Sequence, residues 1–433
     1  MRMCRWPCMR LLPMNSSELE TAGEYWNSPP LRERATIGAV LPSVGLSIAI
    51  LTSVFYVFPA GTPQPGDMLL AVAIVATMIL SSIQLPIFPL LYATLGLFLL
   101  WILLVNSLWF TLIGDYTFLR KTSFYFYNAA IMLFIVSLGM HDLQRLRRVI
   151  YWSCIGALFI ELFYLEFIYH DAKMRSLGTF NNPNQMGYWG LLMLACLGAA
   201  RRRERLNTLD AAALAMGCYV IAQTLSRAAT AAGVLMALAV ALSSRWQRSA
   251  VLTVVGLGVL GGGAELLRGG IVDQISQADV VRGLQHRISI LQRNPDDPLS
   301  LWKRGYGRLV MHPEYLAVGA GEGAFERLTD LNDKEFHSSL GNILLSYGVV
   351  GLSILLRLFY VVVRRSPFIN LVYFGLIMLY GITHMGMRDT MLWVFLGLAF
   401  VQGVIEAQDA APETDIGYPR PGLPTTGKAI GSS

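Results

Sequence analysis

Residues 86–106 read PIFPLLYATLGLFLLWILLVN, twenty-one positions without a single charged side chain. At a rise of about 1.5 Å per residue, a helix of this length spans the roughly 30 Å hydrocarbon core of a bilayer. The run is continuously apolar. A barrel strand would be shorter and would alternate between lipid-facing and lumen-facing residues. A membrane offers no water to unpaired backbone groups, so the helix is the form that satisfies them within one segment.

Working outward, comparable runs cover roughly 37–58, 68–84, 122–140, 149–169, 185–200, 208–225, 228–243, 249–264, 342–363, 367–384 and 390–406. The expected fold is therefore an all-α polytopic membrane protein with about twelve transmembrane helices. Composition agrees: 54% of the 433 residues are hydrophobic, 14% are charged and the mean hydropathy is +0.50. A soluble domain carries about 25% charged residues.

The net charge of +6 does not point to nucleic acid, because the basic residues gather in short loops between the apolar runs. HDLQRLRR (141–148), RRRER (201–205), RWQR (245–248) and RRS (364–366) all fall on one side if every run crosses. The positive-inside bias makes that side the cytoplasm and puts both termini there. The expected organisation is a cytoplasmic tail over 1–36, helices one to nine over 37–264 and one large periplasmic loop over 265–341. Helices ten to twelve then cover 342–406, and a Pro- and Gly-rich cytoplasmic tail covers 407–433. The N-terminal tail carries no apolar core followed by a cleavage site, so it reads as a tail and not as a signal peptide. The five cysteines show neither a disulfide framework nor zinc spacing.

The loop at 265–341 is far longer than a helix connection needs, and loops of that kind are functional or disordered. Its scattered aromatics, Trp302, Tyr306, Tyr315, Phe325 and Phe336, argue for order. Leu299 to Met311 is expected to form an amphipathic helix on the membrane surface, and VGAGEGAF (318–325) a tight turn. GAGEG is no nucleotide fingerprint, since it follows no strand.

The outer ends of the runs carry cations where that bias disfavours them: Arg175, Arg227, Arg388 and the histidine of EFHSSLGN, His337. Each alone reads as an interfacial anchor. Converging, they suit a phosphorylated lipid, because the guanidinium fork matches phosphate oxygens. Asn182 and Asn184 flank Pro183 at the head of the sixth run, as a turn and N-cap or as polar ligands. Glu161 and Glu166 are the main acids inside a run, beside the expected outer cavity. The loop carboxylate pairs, Asp296-Asp297 and Asp330 with Asp333, are not assigned a metal, and no cofactor is expected.

RSLGTFNNPNQMG (175–187), SRAAT (226–230), HPEYLAVGAGEGAF (312–325) and HSSLGNILLSYGVVGL (337–352) together resemble the O-antigen polymerase and ligase superfamily of bacterial membrane glycosyltransferases. The similarity covers roughly 120–405 and includes the order of the motifs and the large late loop. The resemblance implies a GT-C-like inner-membrane enzyme that takes a polyprenyl-diphosphate-linked oligosaccharide and transfers its glycan, without metal, to a sugar hydroxyl on the periplasmic face. It makes His337 and Arg227 the catalytic pair. Arg175, Arg388, Asn182, Asn184, Glu322 and one further loop arginine would bind the substrate. Family members often carry that arginine four residues before the loop tryptophan, where this chain has Pro298; Arg304, Arg308, Arg287 and Arg293 are the candidates for its place. The implied product is O-antigen, capsule or exopolysaccharide, with a chain-length regulator and a flippase as partners besides membrane lipid. The alternatives are a ligase that delivers glycan to lipid A core or protein, and a non-enzymatic transporter. Transporters tend to show internal repeats and broken helices, and the sequence shows no repeat.

Overall fold

The computed structural model describes residues 40–58, 62–80, 86, 88–168, 176–201, 207–242, 305–328 and 336–409. The ninth expected run (249–264), both tails and most of the large loop, with Arg175 and Arg304, lie outside these residues.

Among the described residues the fold is helical throughout: α1 (Val40–Thr52), α2 (Pro65–Leu80), α3 (Pro89–Ile113), α4 (Thr117–Phe167), α5 (Pro183–Ala200) and α6 (Thr208–Gln223), then α7 (Arg227–Leu242), the short α8 (Gly307–Met311), α9 (Ser339–Val363), α10 (Phe368–Gly381) and α11 (Thr390–Asp409). Four of them, α3, α4, α9 and α11, are long and apolar enough to cross a membrane, and α1, α2, α6, α7 and α10 are shorter apolar helices. The outer surface is what lipid requires. Leu97, Leu100, Leu104 and Leu108 of α3 are exposed, as are Val72, Val75, Met78 and Ile79 of α2, apolar faces that water would not tolerate. The chain is an α-helical membrane protein.

The two helices at the centre are α5 and α11, buried almost along their whole length and packed against each other. Small residues let α6 and α10 approach α5, as is common between membrane helices. A Cβ on Gly190 would lie 2.8 Å from Ile221, and one on Gly198 2.8 Å from Tyr373. Polar side chains tie the centre together: Gln402 Nε2 donates to the Ala199 carbonyl and Asn370 Nδ2 to Gln402 Oε1, both at 2.7 Å.

Two local expectations are corrected. The basic stretch 141–148 is helix, not loop, apart from Asp142, whose extended backbone (φ −153°, ψ 90°) divides the 51-residue α4. Its Oδ1 accepts the Arg145 N–H at 2.8 Å, so it serves as N-cap of the second half. The connection expected over 107–121 shrinks to 114–116. The apolar sequence SLWFTLI extends α3 to Ile113, where left-handed Gly114 (φ +81°) ends it. Of the amphipathic helix expected over 299–311, residues 299–304 lie outside the described residues; within the described part Gly307–Met311 is helical, and Gly305 (φ +97°) stands outside the helix.

Candidate functional site

The ends of the helices sort into two sets. One set carries His141, Arg145, Arg201, Arg364 and Arg365. There Arg201 Nε meets Asp210 Oδ2 at 3.0 Å, both almost fully buried, and Asp210 closes a capping box with Asn207 at the head of α6. The other set carries the segments that the sequence singled out, joined by direct hydrogen bonds.

The first of these is the turn Ser176–Phe180. The Ser176 N–H donates to the Gln223 carbonyl at 3.2 Å, which brings the residue after Arg175 to the end of α6, four positions from Arg227. Beneath the turn lies buried Glu161, whose carboxylate accepts from Thr179 Oγ1 at 2.6 Å and from the Thr179 N–H at 3.3 Å. Gly178 is left-handed (φ +55°) and a Cβ there would collide with Glu161, so only glycine fits over the acid.

Next comes the head of α5. Asn182 is exposed and caps the helix, accepting the Asn184 N–H at 2.8 Å, while Pro183 takes the first helical position. The Asn184 carbonyl accepts from Tyr380 Oη at 3.2 Å. Tyr380 stacks on His384 and on Tyr188, with ring centroids 5.5 and 5.8 Å away.

The HSSLGN motif meets the same place. His337 is exposed, and Phe336 before it is buried against Tyr306. Ser338 caps α9 through the Gly341 N–H at 3.2 Å. Ser339 Oγ donates to the His384 carbonyl at 2.9 Å and accepts the Gly386 N–H at 3.0 Å. That pair of bonds locks the residues beside His337 to the 384–388 turn, which carries Arg388.

The glycine-rich turn supplies the last piece. Helix α9 breaks at Gly348 (φ +68°, ψ −175°), and the turn fills the break. The Ala320 and Gly321 N–H groups donate to the Leu345 and Ser346 carbonyls at 2.9 and 2.8 Å, and Trp101 Nε1 donates to the Tyr347 carbonyl at 2.8 Å. These are the carbonyls that lose their helical partners at a break. A Cβ on Gly348 would sit 2.3 Å from the Ala317 carbonyl oxygen, and one on Gly319 2.3 Å from that of Ser346.

From this turn Glu322 enters the bundle and is 1% exposed. Its Oε1 lies 3.3 Å from Arg388 Nε, and its Oε2 accepts from Tyr125 and Tyr347 at 2.8 and 3.1 Å.

No family model matches the chain, and no curated protein does.

The sequence-derived residues therefore divide. His337, Arg388, Glu322, Asn182 and Asn184 share one end of the bundle, linked through hydrogen bonds and the Glu322–Arg388 ion pair. Arg227 opens α7 at that end. Arg175 and Arg304 lie outside the described residues, next to Ser176 and Gly305. Several participants escaped the sequence reading: His384, Tyr188 and Tyr380, the two tyrosines on Glu322, and Asn106, whose Oδ1 accepts the Glu322 N–H at 2.8 Å. HMGMRDT displays His384 beside Arg388, which is a signal; tyrosines scattered over separate helices give none.

Outside the apolar helices, burial pushes the Asp389 carboxyl up to about 7 although part of its surface stays open. The Met391 N–H pulls it down and Asp67 pushes it further up. Burial also lowers Arg327, whose guanidinium lies over the Trp109 ring at 4.1 Å and bonds the Ala320 carbonyl. Among the described residues no cluster of His, Cys, Asp and Glu could hold a metal.

Proposed function

We propose that the chain is an inner-membrane glycosyltransferase that polymerises polyprenyl-diphosphate-linked oligosaccharide units into O-antigen, capsule or exopolysaccharide. The observation that carries this reading is the joining of 176–184, 319–322, 337–339 and 384–388 at one end of the bundle. Residues far apart in the chain meet there: Ser339, two positions after the exposed His337, is bonded to the turn that leads into Arg388.

In the proposed reaction His337 accepts the proton of the acceptor sugar hydroxyl, whose oxygen bonds to the anomeric carbon of the donor as the bond to the diphosphate breaks. The configuration at that carbon inverts. An imidazole with an ordinary pKa near 6.5 suits a base at neutral pH. The diphosphate leaves with growing negative charge, and fixed cations aimed at its oxygens stabilise that state. Arg227, Arg388, Arg175 and Arg304 are assigned to it, and no metal is assigned. Asn182 holds the α5 head in place, where Asn184 also sits.

The membrane arrangement completes the proposal. The basic end is the cytoplasmic one by the positive-inside bias, so the site faces the periplasm. Leu242 ends at the basic end and the 305–328 segment sits at the other, which supports the ninth crossing at 249–264 and a total of about twelve in a GT-C-like arrangement. His337→Ala abolishes polymer in cells while the protein remains in the membrane fraction. Polymer of normal length and amount from that variant overturns the assignment.

A further inference from the structure

The ion pair at the centre of the site has more order built around it than an anchor requires. Glu322 takes one hydrogen bond from Tyr125 on α4 and one from Tyr347 on α9, and its N–H is held by Asn106 on α3. Asn106 is itself pinned, donating to Tyr347 Oη at 3.1 Å and to Thr122 Oγ1 at 2.8 Å. Arg388 is fixed twice over. Its carbonyl accepts from Asn128 Nδ2 at 3.0 Å, and its guanidinium meets Glu322 through Nε at 3.3 Å with the Phe124 ring 5.9 Å away. Arg388 keeps some exposure, 14% of its side chain, whereas Glu322 keeps 1%.

We infer that Glu322 is a positioning residue, which sets the guanidinium of Arg388 for the diphosphate oxygens of the lipid-linked donor; this rests on the glycosyltransferase reading of the site. A carboxylate sunk in an apolar bundle persists only when paired and hydrogen-bonded. This one is satisfied by two hydroxyls on Oε2 and by the guanidinium on Oε1. The contact falls on Nε, the inner edge of the guanidinium, as a charge pairing at 3.3 Å without hydrogen-bond alignment, so the carboxylate holds the guanidinium in place by its charge and is not itself the group that meets the ligand. A fork held in one orientation loses less freedom on binding phosphate than one that must be ordered by the ligand. The glycine-rich turn thus does two jobs: it caps the broken α9 and delivers the carboxylate that aims Arg388.

The test uses the full chain, purified into lipid nanodiscs. Glu322→Gln keeps the shape and removes the charge. The Michaelis constant for a polyprenyl-diphosphate-linked donor rises about tenfold while kcat changes less than about twofold. Arg388→Gln gives a loss of the same kind, and the double variant is no worse than the worse single one, because both changes remove one unit. A thermal-shift arm needs no turnover: inorganic pyrophosphate raises the melting temperature of the unmodified protein and fails to raise that of either single variant. An unchanged donor constant in Glu322→Gln, or losses that multiply in the double variant, overturns the inference. Should Glu322→Gln not fold, Tyr125→Phe removes the hydrogen bond that Tyr125 donates to Glu322 and raises the donor constant about twofold to fivefold, and an unchanged constant overturns the inference in the same way. If the unmodified protein transfers no glycan yet pyrophosphate stabilises it in a Glu322-dependent manner, the catalytic reading fails and the positioning role stands. If neither response is seen, both fall.

Discussion

His337 and Glu322 show how differently two residues of one site present themselves. His337 is exposed beside a helix cap and a serine bonded to the opposite turn, so its sequence neighbours already describe its setting. Glu322 sits among glycines, where a sequence suggests a solvated turn, and instead it is buried beneath two tyrosines from distant helices. Local chemistry was legible at the first position, while at the second the deciding partners lie 197 and 25 residues away in the chain. Asp389, next to Arg388, makes a prediction at this scale. Its carboxyl stands at about 7 in the folded protein against an ordinary value of 3.8. The neutral form is therefore favoured by folding. The stability it contributes is fully present below pH 4 and is lost as pH rises through 7. Asp389→Asn should flatten this loss, so that its melting temperature exceeds that of the unmodified protein more at pH 8 than at pH 5. An equal difference at both pH values would refute the buried-acid assignment.

Among the described residues the helices were legible because the apolar runs there require them, and their breaks were hidden because a single residue makes each of them. Asp142 divides α4 with a cap that any polar loop could have offered, and Gly348 breaks α9 in the middle of an apolar stretch. The second break depends on the 317–321 turn filling it, a contact no local pattern announces. Gly348→Ala combines a left-handed backbone with a Cβ pressed to within 2.3 Å of a carbonyl oxygen. It should cost about 1–3 kcal/mol or more, and should expose the glycine-rich turn to protease at the same time. Gly96→Ala, where a Cβ meets nothing within 4 Å inside α3, serves as the control and does not lower stability, since alanine is favoured there by about 0.5–1 kcal/mol. Asp210→Ala, at the other end of the bundle, removes both the buried partner of Arg201 and one arm of the capping box. A loss of stability by about 3 kcal/mol in denaturant titration is expected, since a buried ion pair is broken together with the capping box.

At the scale of the whole molecule, the apolar exterior and the buried α5–α11 pair establish a membrane-embedded bundle. The function is a larger step, taken from the meeting of four sequence segments at the end opposite the basic cluster. Under the proposed function, the arginines at that end would serve a lipid-linked anion, and the glycine-rich turn seated in the broken helix would hold the carboxylate beside one of them. The most direct test is polymerisation by the purified protein in nanodiscs, supplied with a polyprenyl-diphosphate-linked repeat unit and no metal. The account predicts a ladder of lengthening glycans, released polyprenyl diphosphate in step with each added unit, and neither product from His337→Ala. Absence of a ladder from the unmodified protein, transfer only onto a lipid A core acceptor, or an undiminished ladder from His337→Ala would contradict it.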